Sequence, residues 1–434
     1  MLTHPDDHPR STAVGPATGV RPARPARALT VLAVADTEAR VRLSAAMLGA
    51  VPGEGHTVGL AVLNGPHAPA PARLRAALRS TPQADRHVPV LTRSRLRSLV
   101  RKRRPDAVLL NCSADRVAEL APLLETGTGG RRPALVSALA PLSSEVTEAE
   151  LRARARTDLL VVHSHRELAA CADLAARTGV HVGTALATLP YLPRTRRSFP
   201  LVPRQAVVPA PNRIVFAAQA GVPAARADRE RVLTALSELA RARPDLEVVV
   251  ALDDAEAGEE GVPEAHPYPR LWRALVENGR AGADDLVFRS GVPASRLARP
   301  RGFVTVSSPT VLEAVAREVP VVLLSDFGVG EDLRNTAFEG SGALGTLADV
   351  RAARFRAPSP YWAVRTYFHP GTDDDWAERF DALIDRARGG QLGPVGAVEG
   401  GGRAHGARTW ARNLRTALTA CGRLRAALHR APGA

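Results

Sequence analysis

The stretch that most constrains this chain is Phe303–Gly330, FVTVSSPTVLEAVAREVPVVLLSDFGVG, which reads strand, turn, helix, strand, loop. Phe303–Val306 is apolar and β-branched, as a strand buried on both faces should be. Ser307, Ser308, Pro309 and Thr310 then open a helix. Ser308 suits the N-cap, where a side-chain oxygen accepts from an orphan amide, and Pro309 suits the first helical position. Leu312, Val315 and Ala316 form the inward face of a short helix that ends before Pro320. Val319–Leu324 is a second buried strand, and a right-handed crossover places both strands in one parallel sheet. The amides at the helix start then point past the carboxyl ends of the strands, where anionic ligands collect.

The same alternation fills most of the chain. Leu29–Ala35, His56–Leu63, Asp106–Asn111, Pro133–Leu139 and Asp158–His163 are short apolar runs, each followed by a helical pattern. Pro69–Leu78 and Arg93–Val100 read as helices. After a Pro-rich stretch over 190–211 the pattern restarts with Arg213–Ala217, a helix over Asp228–Ala242, Leu246–Leu252, a helix over Tyr268–Asn278, and Leu286–Arg289. Trp376–Arg388 is a further helix. This is the rhythm of doubly wound α/β units. It predicts a disordered arm over 1–27, a first Rossmann-like domain over 28–189, a linker over 190–211 and a second Rossmann-like domain over 212–388. A Gly-rich linker and a basic amphipathic helix follow over 389–434, with Trp410, Leu414, Leu418, Cys421, Leu424 and Leu428 at helical spacing.

The 434 residues suit two domains of roughly 150–200 residues each. The net charge of +14 raises the possibility of a nucleic-acid partner. Three features argue against it. Nearly all the positive charge is arginine, with Lys102 the single lysine, in an Ala-, Gly- and Pro-rich chain, a pattern of GC-rich coding. Residues 401–434 hold seven arginines and no acid, so half of the excess sits in one tail. Aromatics are 4%, too few for base-stacking platforms. No apolar run reaches the ~18–20 residues of a membrane span. Residues 1–27 lack the apolar core of a secretory signal, and three widely spaced cysteines suggest neither disulfides nor zinc. The expected compartment is the cytoplasm. No G-x-G-x-x-G follows the first strand, which counts against a nicotinamide dehydrogenase.

Two successive Rossmann-like domains with a phosphate-ready helix start in the second resemble a glycosyltransferase of the GT-B fold. LVFRSGVPASRL followed by FVTVSSPTVLEAVAREVPVVLLSDFG resembles the donor half of such enzymes. More narrowly, HPYP at His266–Pro269 and DLRNTAFEGSG at Asp332–Gly342 resemble an uncharacterised actinobacterial family grouped with the glycosyltransferases. The resemblance implies a fold, two Rossmann-like lobes facing across a cleft, and a reaction class. It implies a nucleotide-sugar co-substrate with no metal or other cofactor, and it names neither sugar nor acceptor. The chain departs from the E-x(7)-E signature of the best-known nucleotide-sugar transferases: Glu313 has no glutamate seven residues ahead of it.

Within that frame, Ser307, Ser308 and Thr310 can bind a donor diphosphate; ordinary capping explains them too. Glu313, one turn on, can accept sugar hydroxyls or simply face solvent. Arg289, at a strand end, can neutralise a departing nucleotide, against the background of surface arginines. Gln219 and Gly221 follow the first strand of the second domain, and glycine permits close backbone approach. His266 can contact a pyrophosphate or act as an acid. Asp326, Asn335 and Ser341 sit after the last long strand, where sugar hydroxyls can be read, or serve as turn residues. In the first domain Asp36 ends strand one, the place for a general base, though it can equally cap the next helix. His163 is the second catalytic candidate; Asn111, His163 and His165 end later strands on the same edge. Gly340–Gly345 matches G-x-G-x-x-G without a preceding strand. Asp373-Asp374-Asp375 reads as the acidic opening of a helix rather than a metal site, and Arg93–Arg104 as a wet helix face.

The acceptor can be a glycan, a lipid-linked sugar or a small molecule. The tail helix can pack on the protein or lie on an anionic membrane. Two rivals to sugar transfer are a nucleotide-sugar epimerase of the same fold and a non-catalytic binding protein with a basic tail.

Overall fold

The computed structural model describes residues 28–51, 55–79, 81–125, 131–142, 146–192, 212–252, 264–290 and 300–394. The expected arm over 1–27, most of the 190–211 linker, and the tail from 395 onward with its amphipathic helix lie outside the described residues.

Two parallel sheets organise the rest. The first contains β1 (Thr30–Ala35), β2 (Thr57–Leu63), β3 (Val90–Leu91), β4 (Ala107–Asn111), β5 (Ala134–Ala138), β6 (Leu159–Val162) and β7 (Thr184–Leu186), in the order β3-β2-β1-β4-β5-β6-β7. The second contains β8 (Arg213–Ala217), β9 (Glu247–Ala251), β10 (Val287–Arg289), β11 (Gly302–Thr305), β12 (Val321–Leu324) and β13 (Leu344–Gly345), in the order β10-β9-β8-β11-β12-β13. Phe303 pairs with Val321 and Thr305 with Leu323, so the β11–β12 crossover is the parallel unit the sequence predicts. Each sheet starts in the middle, builds one way, then returns to build the other way.

Helices cover the sheets. They are α1 (Glu38–Gly49), α2 (Pro71–Leu78), α3 (Arg93–Arg103), α4 (Ala114–Glu125), α5 (Glu148–Arg154) and α6 (His165–Thr178), then α7 (Arg226–Ala242), α8 (Tyr268–Glu277), α9 (Thr310–Ala316), α10 (Leu347–Arg351), α11 (Pro360–Arg365) and α12 (Trp376–Arg388). The central strands are apolar on both faces; all five residues of β4 and of β5 are buried. No helix of the described residues is long and apolar enough to cross a membrane.

The edge strands β3, β7 and β13 are two or three residues long and carry no usable periodicity, so the sequence reading passes over them. One boundary moves with a consequence. Pro309, not Ser308, occupies the N-cap of α9, and no side chain caps that helix.

The larger correction concerns α12, expected within the second domain. Its apolar face returns to the first sheet: Trp376, Phe380, Leu383, Ile384 and Ala387 share one buried cluster with Val31, Ala33, Ala107, Leu109, Ala134, Val136 and Ala185. The acidic run ahead of it fixes the return. Asp375 accepts from the Leu186 amide at 2.8 Å. Asp374 accepts from the amide and hydroxyl of Thr188 at 2.9 and 2.8 Å, and Asp373 meets His165 at 2.9 Å. These three carboxylates are thus a clasp between chain segments; Asp375 holds the N-cap position without a side-chain capping bond. In the opposite direction Leu189 and Leu192 leave the end of β7 and enter the core of the second sheet.

Candidate active site

In an open α/β sheet, ligands bind where the strand order reverses, because the loops on either side part there. In the first sheet that point lies between β1 and β4. Asp36, directly after β1, accepts from the Ser113 amide at 2.8 Å and from its hydroxyl at 2.7 Å. Ser113 follows β4 by two residues, so the bond spans the reversal. The other Asp36 oxygen lies 3.5 Å from Arg40 Nη1 and makes no hydrogen bond. Thr37, not Asp36, caps α1, its hydroxyl accepting from the Arg40 amide at 3.4 Å. Asp36 is therefore released from the capping role its position allows.

The second sheet repeats the device between β8 and β11. Ser307 Oγ donates to Gln219 Oε1 at 2.9 Å, tying together the loops that leave the two central strands. Thr305 supports them from below: its hydroxyl donates to the Ala217 carbonyl at 3.0 Å and accepts from the Ser308 amide at 3.1 Å. Ser308 and Thr310 share a hydroxyl–hydroxyl bond of 2.8 Å instead of capping α9. Ser307 and Ser308 are buried, whereas Gln219, Thr310 and Glu313 are part-exposed at the rim. Gly221, at φ 69°, uses the left-handed region that favours glycine, and its amide donates to Glu264 at 2.6 Å.

Other predicted residues are placed differently. Arg289 is exposed at the end of β10, three strands from β11, which at a spacing of ~4.8 Å is about 14 Å away. The His266 carbonyl is held by Arg229 at 3.1 Å while its ring is part-exposed. Asp326 accepts from the Leu347 amide at 2.8 Å, at the start of α10. Asn335 is fully buried, bonded to the Gly330 amide at 2.9 Å and the Gly328 carbonyl at 3.1 Å, so it pins its own loop. Ser341 is likewise buried and accepts from the Ala343 amide. Asn111 turns under the sheet to Ser44 at 3.0 Å.

His163 needs correction as a catalytic candidate. Its ring is 0% exposed, Nδ1 meets the Ala187 carbonyl at 3.0 Å, and Nε2 is buried without a partner. Burial pushes its pKa down to about 4. A neutral, enclosed imidazole has no open face from which to take a proton from an acceptor. His165 is engaged in the clasp with Asp373.

The two carboxyl edges face each other. Arg166, at the start of α6, donates to the Thr336 carbonyl in the loop beyond β12 at 3.4 Å. Tyr367 accepts from the Leu142 amide at 2.9 Å and donates to Glu167 at 3.2 Å. Tyr191 packs against the buried clusters of both lobes. Burial pushes the Glu167 carboxyl up against the donors around it. A pocket of about 220 Å³ lies between α6 and Thr336–Ala337, to one side of both strand reversals.

A family model described as "Putative glycosyltransferase (DUF6716)" matches residues 31–383. The chain belongs to that family. No curated protein matches it in sequence. Among solved structures, an S. aureus MnaA–UDP complex is 12% identical with a TM-score of 0.53, over 82% of this chain and 98% of that one. A structure titled as a putative UDP-N-acetylglucosamine 2-epimerase from Listeria monocytogenes is 12% identical with a TM-score of 0.50, over 85% and 98%. At such identity the likeness shows the fold, two Rossmann-like lobes of the GT-B type, and the family supplies the enzyme class.

In this glycosyltransferase-family chain, sequence reasoning missed the supports beneath the site. Arg229, 0% exposed, donates to the carbonyls of Pro223, His266 and Gln219 at 2.8, 3.1 and 3.3 Å. It pairs with Glu264 at 3.1 Å and lies 4.7 Å from the Tyr268 ring centroid. One guanidinium thus fastens the loops after β8 and after β9. Its signal was faint, an arginine among 58 basic residues on a helix that reads as amphipathic. Ser113 was more accessible to inference, a small polar residue just beyond a buried strand. Among the described residues no group of three or more His, Cys, Asp or Glu is disposed to hold a metal.

Proposed function

We propose that this enzyme moves a sugar from a nucleotide-sugar donor to an acceptor hydroxyl in the cytoplasm, without a metal ion. The observation that carries the reading is the Ser307–Gln219 bond at the strand reversal of the second sheet, opposite Asp36 at the reversal of the first. The donor diphosphate lies over the Ser307–Thr310 turn, where the Ser308 and Thr310 hydroxyls meet it, and Glu313 reaches sugar hydroxyls from the rim. Asp36 takes the acceptor proton: Ser113 fixes one carboxylate oxygen, and the other, buried 3.5 Å from Arg40, serves as the base once an acceptor displaces that cation. The acceptor, whether glycan, lipid-linked sugar or small molecule, enters from the first lobe.

Two measurements test this. A thermal-shift panel of nucleoside diphosphates should yield one that stabilises by roughly 2.7 kcal/mol at 100-fold its Kd. Ser308→Asp, which places a negative charge in the turn, should abolish that shift; an unchanged shift removes the donor site from this turn. Incubation with the sugar nucleotide alone separates transfer from epimerisation, because only an epimerase converts it to an isomer with no acceptor present.

A further inference from the structure

A charged cavity among the described residues lies at the opposite end of the first sheet. It has a volume of about 590 Å³ and sits at the amino ends of β1, β4 and β5, with the end of α12 along one wall. The six residues of β1 span roughly 20 Å at ~3.3 Å each, so Asp36 is that far away. Five arginines line the cavity, Arg101, Arg104, Arg131, Arg132 and Arg388, against one acid, Asp106.

Two of the five are balanced. Arg388 meets both oxygens of Asp106 at 2.8 and 2.9 Å, and Asp106 also accepts from the Thr30 amide at 2.9 Å. Burial pushes the Asp106 carboxyl up, but these donors, with the nearby charges of Arg388 and Arg131, outweigh it and hold the group below its usual range. Arg132 forms a two-pronged pair with Asp158 at 2.7 Å on each side. The side chains of Arg101, Arg104 and Arg131 make no hydrogen bond or ion pair among the described residues. Arg104 also ends α3 at φ 45°, a left-handed position where glycine or asparagine is usual. Arg101, Arg104 and Arg131, all three exposed, therefore line a cavity of ligand size together with the apolar Val100, Leu124 and Pro133.

We propose that this cavity is a second ligand site, separate from the cleft, that takes a phosphate ester through Arg101, Arg104 and Arg131. The guanidinium fork matches a phosphate in two-pronged geometry, and the apolar lining accepts the body of the ester. The carboxylates present are already engaged, so they do not oppose an incoming anion.

Inorganic pyrophosphate is the probe, titrated calorimetrically into the full chain at fixed ionic strength. Arg101→Ser/Arg104→Gly/Arg131→Ser should weaken binding at least tenfold. Every titration is run in the Ser308→Asp background, where the proposed cleft site no longer takes a diphosphate, so this site and the proposed donor site fail independently. Arg75→Ser/Arg270→Ser/Arg273→Ser removes the same charge from exposed positions elsewhere and should leave affinity within twofold. Equal loss in the two arginine triples means unspecific attraction and overturns the proposal, as does undiminished binding in the cavity triple. Flotation with phosphatidylglycerol vesicles tells the source: capture that only the cavity triple loses assigns a lipid headgroup, and pyrophosphate binding without capture assigns a free phosphate ester.

Discussion

Arg229→Ala is the sharpest test of how the second lobe holds its loops. The substitution removes three donors to the carbonyls of Gln219, Pro223 and His266 and one partner of Glu264. Breaking a buried ion pair from one side costs about 3–5 kcal/mol, since the remaining charge stays buried. Glu264 keeps two donors, the amides of Gly221 at 2.6 Å and His266 at 3.3 Å, which places the expected loss near 3 kcal/mol. Urea unfolding followed by circular dichroism measures it, and hydrogen exchange should quicken at 219–223 and 264–268 before other segments. Glu264→Gln in the same chain removes the stranded charge, so the two substitutions should cost at least 1 kcal/mol less together than their sum. A loss below 1 kcal/mol for Arg229→Ala, or strict additivity, refutes the role given to this arginine.

Other outcomes follow from the same geometry. His163 takes a proton at 6.5 when unfolded but only at about 4 when folded. The unfolded chain therefore binds more protons between those values, and stability falls as pH drops through that window, by roughly 3 kcal/mol in full. His163→Gln should flatten the pH dependence of the urea midpoint there, and an unchanged slope would show that this ring is not the group responsible. Phe380→Ala, at a fully buried position of α12, should cost about 3–5 kcal/mol and expose the first sheet to proteolysis. Asp36→Asn should lower kcat about 10²–10⁴-fold with nucleoside diphosphate affinity within twofold; retained turnover would take the base away from this residue.

The parallel α/β class was legible in residues such as Asp106–Asn111 and Phe303–Val306, because a strand buried on both faces must be apolar throughout. The hydroxyl-rich turn Ser307–Thr310 was legible for a related reason: polar residues directly after a buried strand have few places to go except the ligand edge. Their bonding was not. Whether Asp36 caps α1 or reaches across to Ser113 depends on a residue 77 positions later. His163 reads as an edge residue until the chain after β7 closes over it.

The chain's own order of apolar and polar residues thus determined two lobes, their longer strands and a hydroxyl-rich turn after β11, since those follow from local periodicity. Tertiary structure alone decided that α12 crosses back to the first sheet, that Arg229 ties two loops, and that arginines from α3, the start of β5 and α12 meet around one cavity. Each of these joins residues far apart in the chain, and such meetings are set by packing and by the pairing of buried charge, which leave no periodic trace in the sequence.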